Sequence, residues 1–149
     1  MSQRLPSIRS EPDPDNPGWV TYHSGYPGLF NHDFIGRLTM RAEGPAIARV
    51  RMPLQSHHLS VMNTVHGGAM LGFADVSLFV TMFLLTEADL VRSLTVDLQC
   101  QFLAGSIPGE PAIDAVVEIL RETGRMAFLR GTMVQGDHRI AAYSATVRK

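Results

Sequence analysis

Residues 69–85 read Ala-Met-Leu-Gly-Phe-Ala-Asp-Val-Ser-Leu-Phe-Val-Thr-Met-Phe-Leu-Leu, a largely apolar run in which Asp75 is the one charge. A helix that is apolar on every face must be buried on most sides, so the rest of the chain has to be built around it. The run is short for a membrane span and carries a carboxylate. Its flanks read as amphipathic strands, so a buried central helix in a soluble domain is expected. A chain of 149 residues is enough for one such domain.

Downstream the hydrophobic period falls to two. Leu94, Val96, Leu98, Cys100 and Phe102 alternate with Ser93, Thr95, Asp97, Gln99 and Gln101, which predicts a strand. Segments 112–121, 126–135 and 139–148 are further strand candidates. Glu122-Thr123-Gly124-Arg125 and Gly136-Asp137-His138 separate them as hairpin turns. Upstream, 34–40 and 46–52 look extended, with Glu43-Gly44-Pro45 as the turn between them. Residues 1–18 are rich in proline and acidic residues and are expected to form a mobile arm. The division expected is an arm and covering segment over 1–33, followed by a domain over 34–149. The fold class is α+β, an antiparallel sheet wrapped around one long helix. Trp19, Tyr22, Tyr26 and Phe30 are expected to cover the core, with ligand lining as the alternative.

An ionised carboxylate in apolar surroundings loses several kcal/mol of hydration, roughly, unless something pairs with it. Asp75 therefore either answers a polar group on a strand or a neighbouring subunit, or is kept for chemistry. His66-Gly67-Gly68 stands just before the helix. Free N–H groups at a helix start, with glycine allowing close approach, make an oxyanion-binding site. Gly67 and Asp75 are eight residues apart, about 12 Å along one helix. A reacting carbonyl must lie within about 3 to 3.5 Å of donor and attacker alike. One helix cannot supply both, whereas two antiparallel helices across a twofold axis can. The inference is a site shared by two subunits of an obligatory dimer.

The run His66-Gly67-Gly68-Ala69-Met70-Leu71-Gly72-Phe73-Ala74-Asp75, with Leu94-Thr95-Val96-Asp97-Leu98 beyond it, resembles the hotdog-fold thioesterases of the PaaI type. The resemblance spans about 34–148. It implies hydrolysis of acyl-CoA or acyl-carrier thioesters at dimer interfaces, with no cofactor and no metal. It also implies a homodimer that pairs again into a tetramer. Asp75 matches the acidic residue, as general base or nucleophile, and Gly67 the glycine whose N–H polarises the carbonyl. Thr95 stands where relatives carry Ser or Thr near the attacking water, and His66 matches the motif histidine, which orients the helix start or the thioester. Gly68 is expected beside the substrate. The pattern departs from the family at one place. Where an Asn is usual, six residues before His66, this chain has Ser60, and Asn63 stands at the usual Gly. Either Ser60 or Asn63 is expected to hold the water.

Other features define the rival readings. A formal net charge of −1 gives no field for nucleic acid or an anionic membrane. The lone Cys100 fits a reducing, cytoplasmic compartment, and 1–10 lack the apolar core of a signal peptide. His57 and His58 have no third ligand at a suggestive spacing. Met62, Met70 and Met82 read as adaptable core, with contact to an acyl chain near a dimer groove as the alternative. Arg121, Arg125, Arg130, Arg139 and Lys149 could meet phosphates or simply face solvent. The alternatives to hydrolysis are an acyl-CoA-binding domain without turnover and a hotdog hydratase, which would need a His beside the acid.

Overall fold

In the computed structural model, which describes residues 8–149, the apolar run forms one helix, α1 (Gly67–Leu85). The remaining elements are strands β1 (Arg9–Pro12), β2 (Val20–His23), β3 (Leu38–Ala42), β4 (Ile47–Pro53), β5 (Leu94–Phe102), β6 (Ala112–Glu122), β7 (Met126–Gln135) and β8 (His138–Arg148). They form one sheet in the order β1-β2-β3-β4-β6-β7-β8-β5, antiparallel throughout. The sheet curves around α1, which packs on β3, β4, β5, β6 and β8. This is the hotdog arrangement that the sequence resemblance implies.

The pleat explains the core. Ile113, Ala115 and Val117 of β6, Leu129 and Met133 of β7, and Tyr143, Ala145 and Val147 of β8 point inward on alternate residues. Against them lie Phe73, Ala74, Leu78, Val80 and Met82 of α1, all fully buried. Each large side chain removed from water in this way contributes about 1.5 to 3 kcal/mol. The long, apolar α1 is thus the core of a folded domain. Its last turn closes on Thr86, whose hydroxyl donates to the Met82 carbonyl at 2.8 Å.

Two expectations need correction. Residues 8–18 are ordered into structure rather than forming a mobile arm; the first seven residues of that expected arm lie outside the described residues. β1 pairs with β2 at the sheet edge, where Pro12 need not donate to a further strand. The acidic tract between them is a built turn. The Asp13 carboxylate accepts from the Asp15 N–H at 3.0 Å and the Asn16 amide at 3.1 Å. These bonds hold its pKa below the ordinary carboxylate range. Gly18, at φ 86°, then reverses the chain. Trp19 follows, with the guanidinium groups of Arg41 and Arg51 each 4.7 Å from its ring, so it fastens this hairpin to the sheet.

The second correction concerns Phe34. It lies in a wide helical turn, Asn31–Ile35, and not in a strand; Gly36 at φ 79° ends the turn before β3 begins. Phe34 stacks on Phe30 at 5.1 Å between ring centroids. Its carbonyl receives His58 Nε2 at 2.6 Å and His57 Nε2 at 2.9 Å. His58 is fully buried and its Nδ1 accepts from the Gln55 N–H at 3.0 Å, so the ring is neutral with its proton on Nε2.

Burial holds His58 below its ordinary pKa of 6.5. The unfolded chain therefore takes up a proton that the folded chain refuses. Stability from this source is full above about pH 6.5 and is lost as pH falls toward the folded value. Urea midpoints should fall between pH 7 and pH 5.5, and His58→Gln, which can accept and donate in the same way, should flatten that slope. An unchanged slope in the variant would refute the assignment.

Candidate active site

α1 begins at Gly67 with His66 as its cap. The His66 Nδ1 accepts from the Gly68 N–H at 2.9 Å, and the His66 N–H donates to the His58 carbonyl at 2.8 Å. An accepting Nδ1 puts the imidazole proton on Nε2. His66 therefore fixes the helix start, and the Gly68 N–H is already engaged. The Gly67 N–H has no partner among the described residues and stands at the positive end of the helix dipole.

The loop before the helix is self-contained. Ser60 Oγ lies 3.1 Å from Thr64 Oγ1 and accepts from the Met62 N–H at 3.2 Å. Asn63 is the one non-glycine with positive φ among the described residues, at 57°. Asparagine tolerates that left-handed conformation better than most side chains. This accounts for Asn63 at a place where the related pattern has Gly: the position needs a turn-forming backbone. Both residues are thus used in the turn that sets up His66.

Asp75 lies two turns along the helix. Its Oδ1 accepts from Thr95 Oγ1 at 2.5 Å, while Oδ2 has no partner among the described residues. The strand alternation had placed Thr95 on the face opposite Leu98 and Cys100. The structure puts it on the same face, because Val96 is an extra residue: Thr95 pairs with Val147 and Asp97 with Thr146. A β-bulge shifts every side chain on one side of it to the other face. The inserted Val96 points outward and is half exposed, and Thr95 turns inward onto Asp75.

A polar contact that the sequence reading did not single out anchors this part of α1. Ser77 Oγ donates to the Ala74 carbonyl at 2.7 Å and is 2.6 Å from the Tyr143 hydroxyl, which then donates to it. Burial raises the Tyr143 pKa far above the ordinary phenol value. The ring fits only because residue 131 on β7 is Gly; a Cβ there would lie 2.2 Å from the Tyr143 ring. A glycine inside a strand pattern is the signal that marks such a close approach. Since β8 also pairs with β5, this contact ties the helix to the strand that carries Thr95.

On its open side Asp75 borders a cavity of about 320 Å³. Val76 and Phe79 share its helix wall, Tyr22 and Phe30 come from the covering segment, and Leu90 and Val91 from the loop before β5. Of the four aromatics considered as ligand lining, Tyr22 and Phe30 border the cavity. Trp19 and Tyr26 do not. No group of three or more His, Cys, Asp or Glu able to hold a metal occurs among the described residues. Of the cations considered for phosphate, Arg130 pairs with Glu118 and Lys149 with Glu122.

Thioesterase superfamily member 2 from Mus musculus superposes with a TM-score of 0.67 at 20% identity, over 80% of this chain and 88% of that one. The PaaI protein of the E. coli phenylacetic acid degradation operon superposes at 0.62 and 14% identity, covering 75% and 82%. A hypothetical thioesterase from Streptococcus pneumoniae with coenzyme A superposes at 0.64 and 11% identity, covering 74% and 84%. These likenesses establish the shared fold. No curated protein sequence matches the chain. Residues 62–142, which contain Gly67, Asp75 and Thr95, match the thioesterase superfamily. That match covers more than half of the described helix and sheet, and of the chain itself, and so this chain belongs to the thioesterase superfamily.

Proposed function

We propose that the protein hydrolyses acyl-CoA or acyl-carrier thioesters at a site built from two copies of the chain. The observation that carries this reading is the Asp75 carboxylate, hydrogen-bonded through one oxygen to Thr95 and open to an apolar cavity through its other side. Water bound at Asp75 gives its proton to the carboxylate as its oxygen attacks the thioester carbon. The Gly67 N–H of a second copy holds the oxyanion that forms. The C–S bond then breaks, and the thiolate leaves with a proton, restoring the carboxylate. Direct attack by Asp75, giving an anhydride that water opens, uses the same groups. The coenzyme A of the Streptococcus pneumoniae relative supports CoA as the carrier.

The partner is inferred from geometry. Gly67 and Asp75 of one helix stand about 12 Å apart, too far to act on one carbonyl. β5 is an edge strand, and Val61, Met62, Leu71, Phe102 and Leu103 are exposed around it and around the start of α1. Unpaired edges and exposed apolar side chains favour self-association, which supports a dimer and leaves the pairing of dimers into a tetramer as its extension. A reducing, cytoplasmic setting is proposed from the free, half-buried Cys100.

The test is release of free thiol from a panel of acyl-CoAs by the purified protein. In that assay Thr95→Val should lower kcat by roughly tenfold with little change in KM, since it removes one oriented hydrogen bond to the base. Wild-type kcat in the variant would dismiss a role for Thr95. A second reading, acyl-CoA binding without turnover, is favoured by the engagement of Ser60 and Asn63 in the local turn. Tight binding by calorimetry with no thiol release would establish it.

A further inference from the structure

The helix positions Gly72, Asp75, Val76 and Phe79 follow the spacing i, i+3, i+4, i+7 and therefore lie on one face of α1. That face is covered by the segment leading from β2 to β3 as well as by the sheet. Gly72 lets the cover sit close: a Cβ there would be 2.7 Å from the Phe30 ring. Leu29, Phe30 and Tyr22 border the cavity beside Asp75, as do Leu90 and Val91. The residues of this cover lie outside the stretch 62–142 that matches the family.

We infer that this cavity is the acyl pocket and that it selects uncharged, straight acyl chains of medium length; the inference rests on the thioester reading above. Its volume of about 320 Å³ holds roughly ten groups the size of a water or methylene, at ~30 Å³ each. Among the described residues Asp75 is the only charged side chain in the lining, and none of them is a cation that would answer a carboxylate on the acyl group. Phe79 is one helical turn past Asp75, about 6 Å along the axis, so its ring meets an acyl chain running away from the reacting carbonyl. The covering segment and Phe79 thus set the chain length.

The test uses straight saturated acyl-CoAs from acetyl to palmitoyl, together with succinyl-CoA, followed by thiol release. Each methylene taken from water favours the bound state by about fourfold. The inference expects kcat/KM to rise by roughly a hundredfold or more from acetyl to octanoyl. It expects a maximum near eight to ten carbons, as the pocket volume implies, a fall for palmitoyl, and poor use of succinyl-CoA. Phe79→Ala should move the maximum to chains about four carbons longer. Val91→Trp, at a half-exposed position, should move it to shorter chains. A general loss of stability cannot produce opposite shifts.

The affinities of S-alkyl-CoA thioethers of the same lengths, measured by calorimetry, separate the two claims. Thioethers with an optimum at medium length, in a protein that releases no thiol, would support the pocket and sink the hydrolase reading. Thiol release with a profile flat in length, or unmoved by both variants, would overturn the pocket and leave hydrolysis standing.

Discussion

Asp75→Asn should lower kcat for thioester hydrolysis by about three orders of magnitude, within the range that an oriented general base contributes. KM should stay within about twofold, because the loss falls on the transition state and not on substrate binding. The substitution is nearly isosteric, and the Asn carbonyl can still accept from Thr95 Oγ1, which now donates at 2.5 Å. An uncharged amide beside an apolar cavity also costs less desolvation than a carboxylate. The variant should therefore unfold at the same temperature as the wild type or slightly above it, as sites kept for chemistry often do. Loss of activity together with loss of fold would make Asp75 a structural residue. Retention of wild-type kcat would remove it from the mechanism.

The second large effect is expected at the other end of the helix. Gly67→Pro deletes one N–H and should reduce kcat by roughly two to three orders of magnitude, the usual consequence of losing an oxyanion donor. The fold should accept the change. Gly67 is the first helical residue, where proline is favoured because its N–H has no helical partner to lose. The preceding His66 is already extended, at φ −65° and ψ 138°, which is the conformation a following proline demands. Gly67→Ala serves as the control, since its Cβ would meet the Phe102 ring at an ordinary 3.5 Å while the N–H remains. If proline and alanine have equal effects on kcat, the N–H is not the working group.

The helix and its carboxylate were legible in the sequence because both are violations of local expectation: a helix apolar on all faces must be central, and a charge within it must be answered. The strands β6 to β8 were legible through alternation and through turns such as Gly136-Asp137, where Gly136 takes a φ of 58°. Thr95 was a different case. Alternation assigned it to the wrong face of β5, and only the family resemblance placed it near the attacking water. A bulge is a one-residue insertion relative to the neighbouring strand, so it is visible in the pairing of Thr95 and Asp97 with β8 and not in the strand's own pattern.

The N-terminal edge was hidden for another reason. Proline and acidic residues usually oppose regular structure, but a four-residue edge strand needs few donors. The Asp13 turn and the two arginines on Trp19 come from tertiary contacts. Asn63 was singled out for its side chain, whereas its backbone conformation explains its place. The cavity was partly legible through Tyr22 and Phe30. Its other walls, Phe79, Leu90 and Val91, look in the sequence like ordinary core and loop residues.

If one site takes Asp75 from one copy and Gly67 from another, mixed dimers of two inactive variants regain an intact site. Asp75→Asn and Gly67→Pro chains, co-expressed in equal amounts, assort into dimers of which about half are mixed. In a mixed dimer one site carries both defects and the other carries neither. Activity should therefore recover to about one quarter of wild-type kcat per chain under that twofold arrangement. Activity no greater than that of the separate variants, in a sample where native mass spectrometry finds the mixed dimers present, would contradict it.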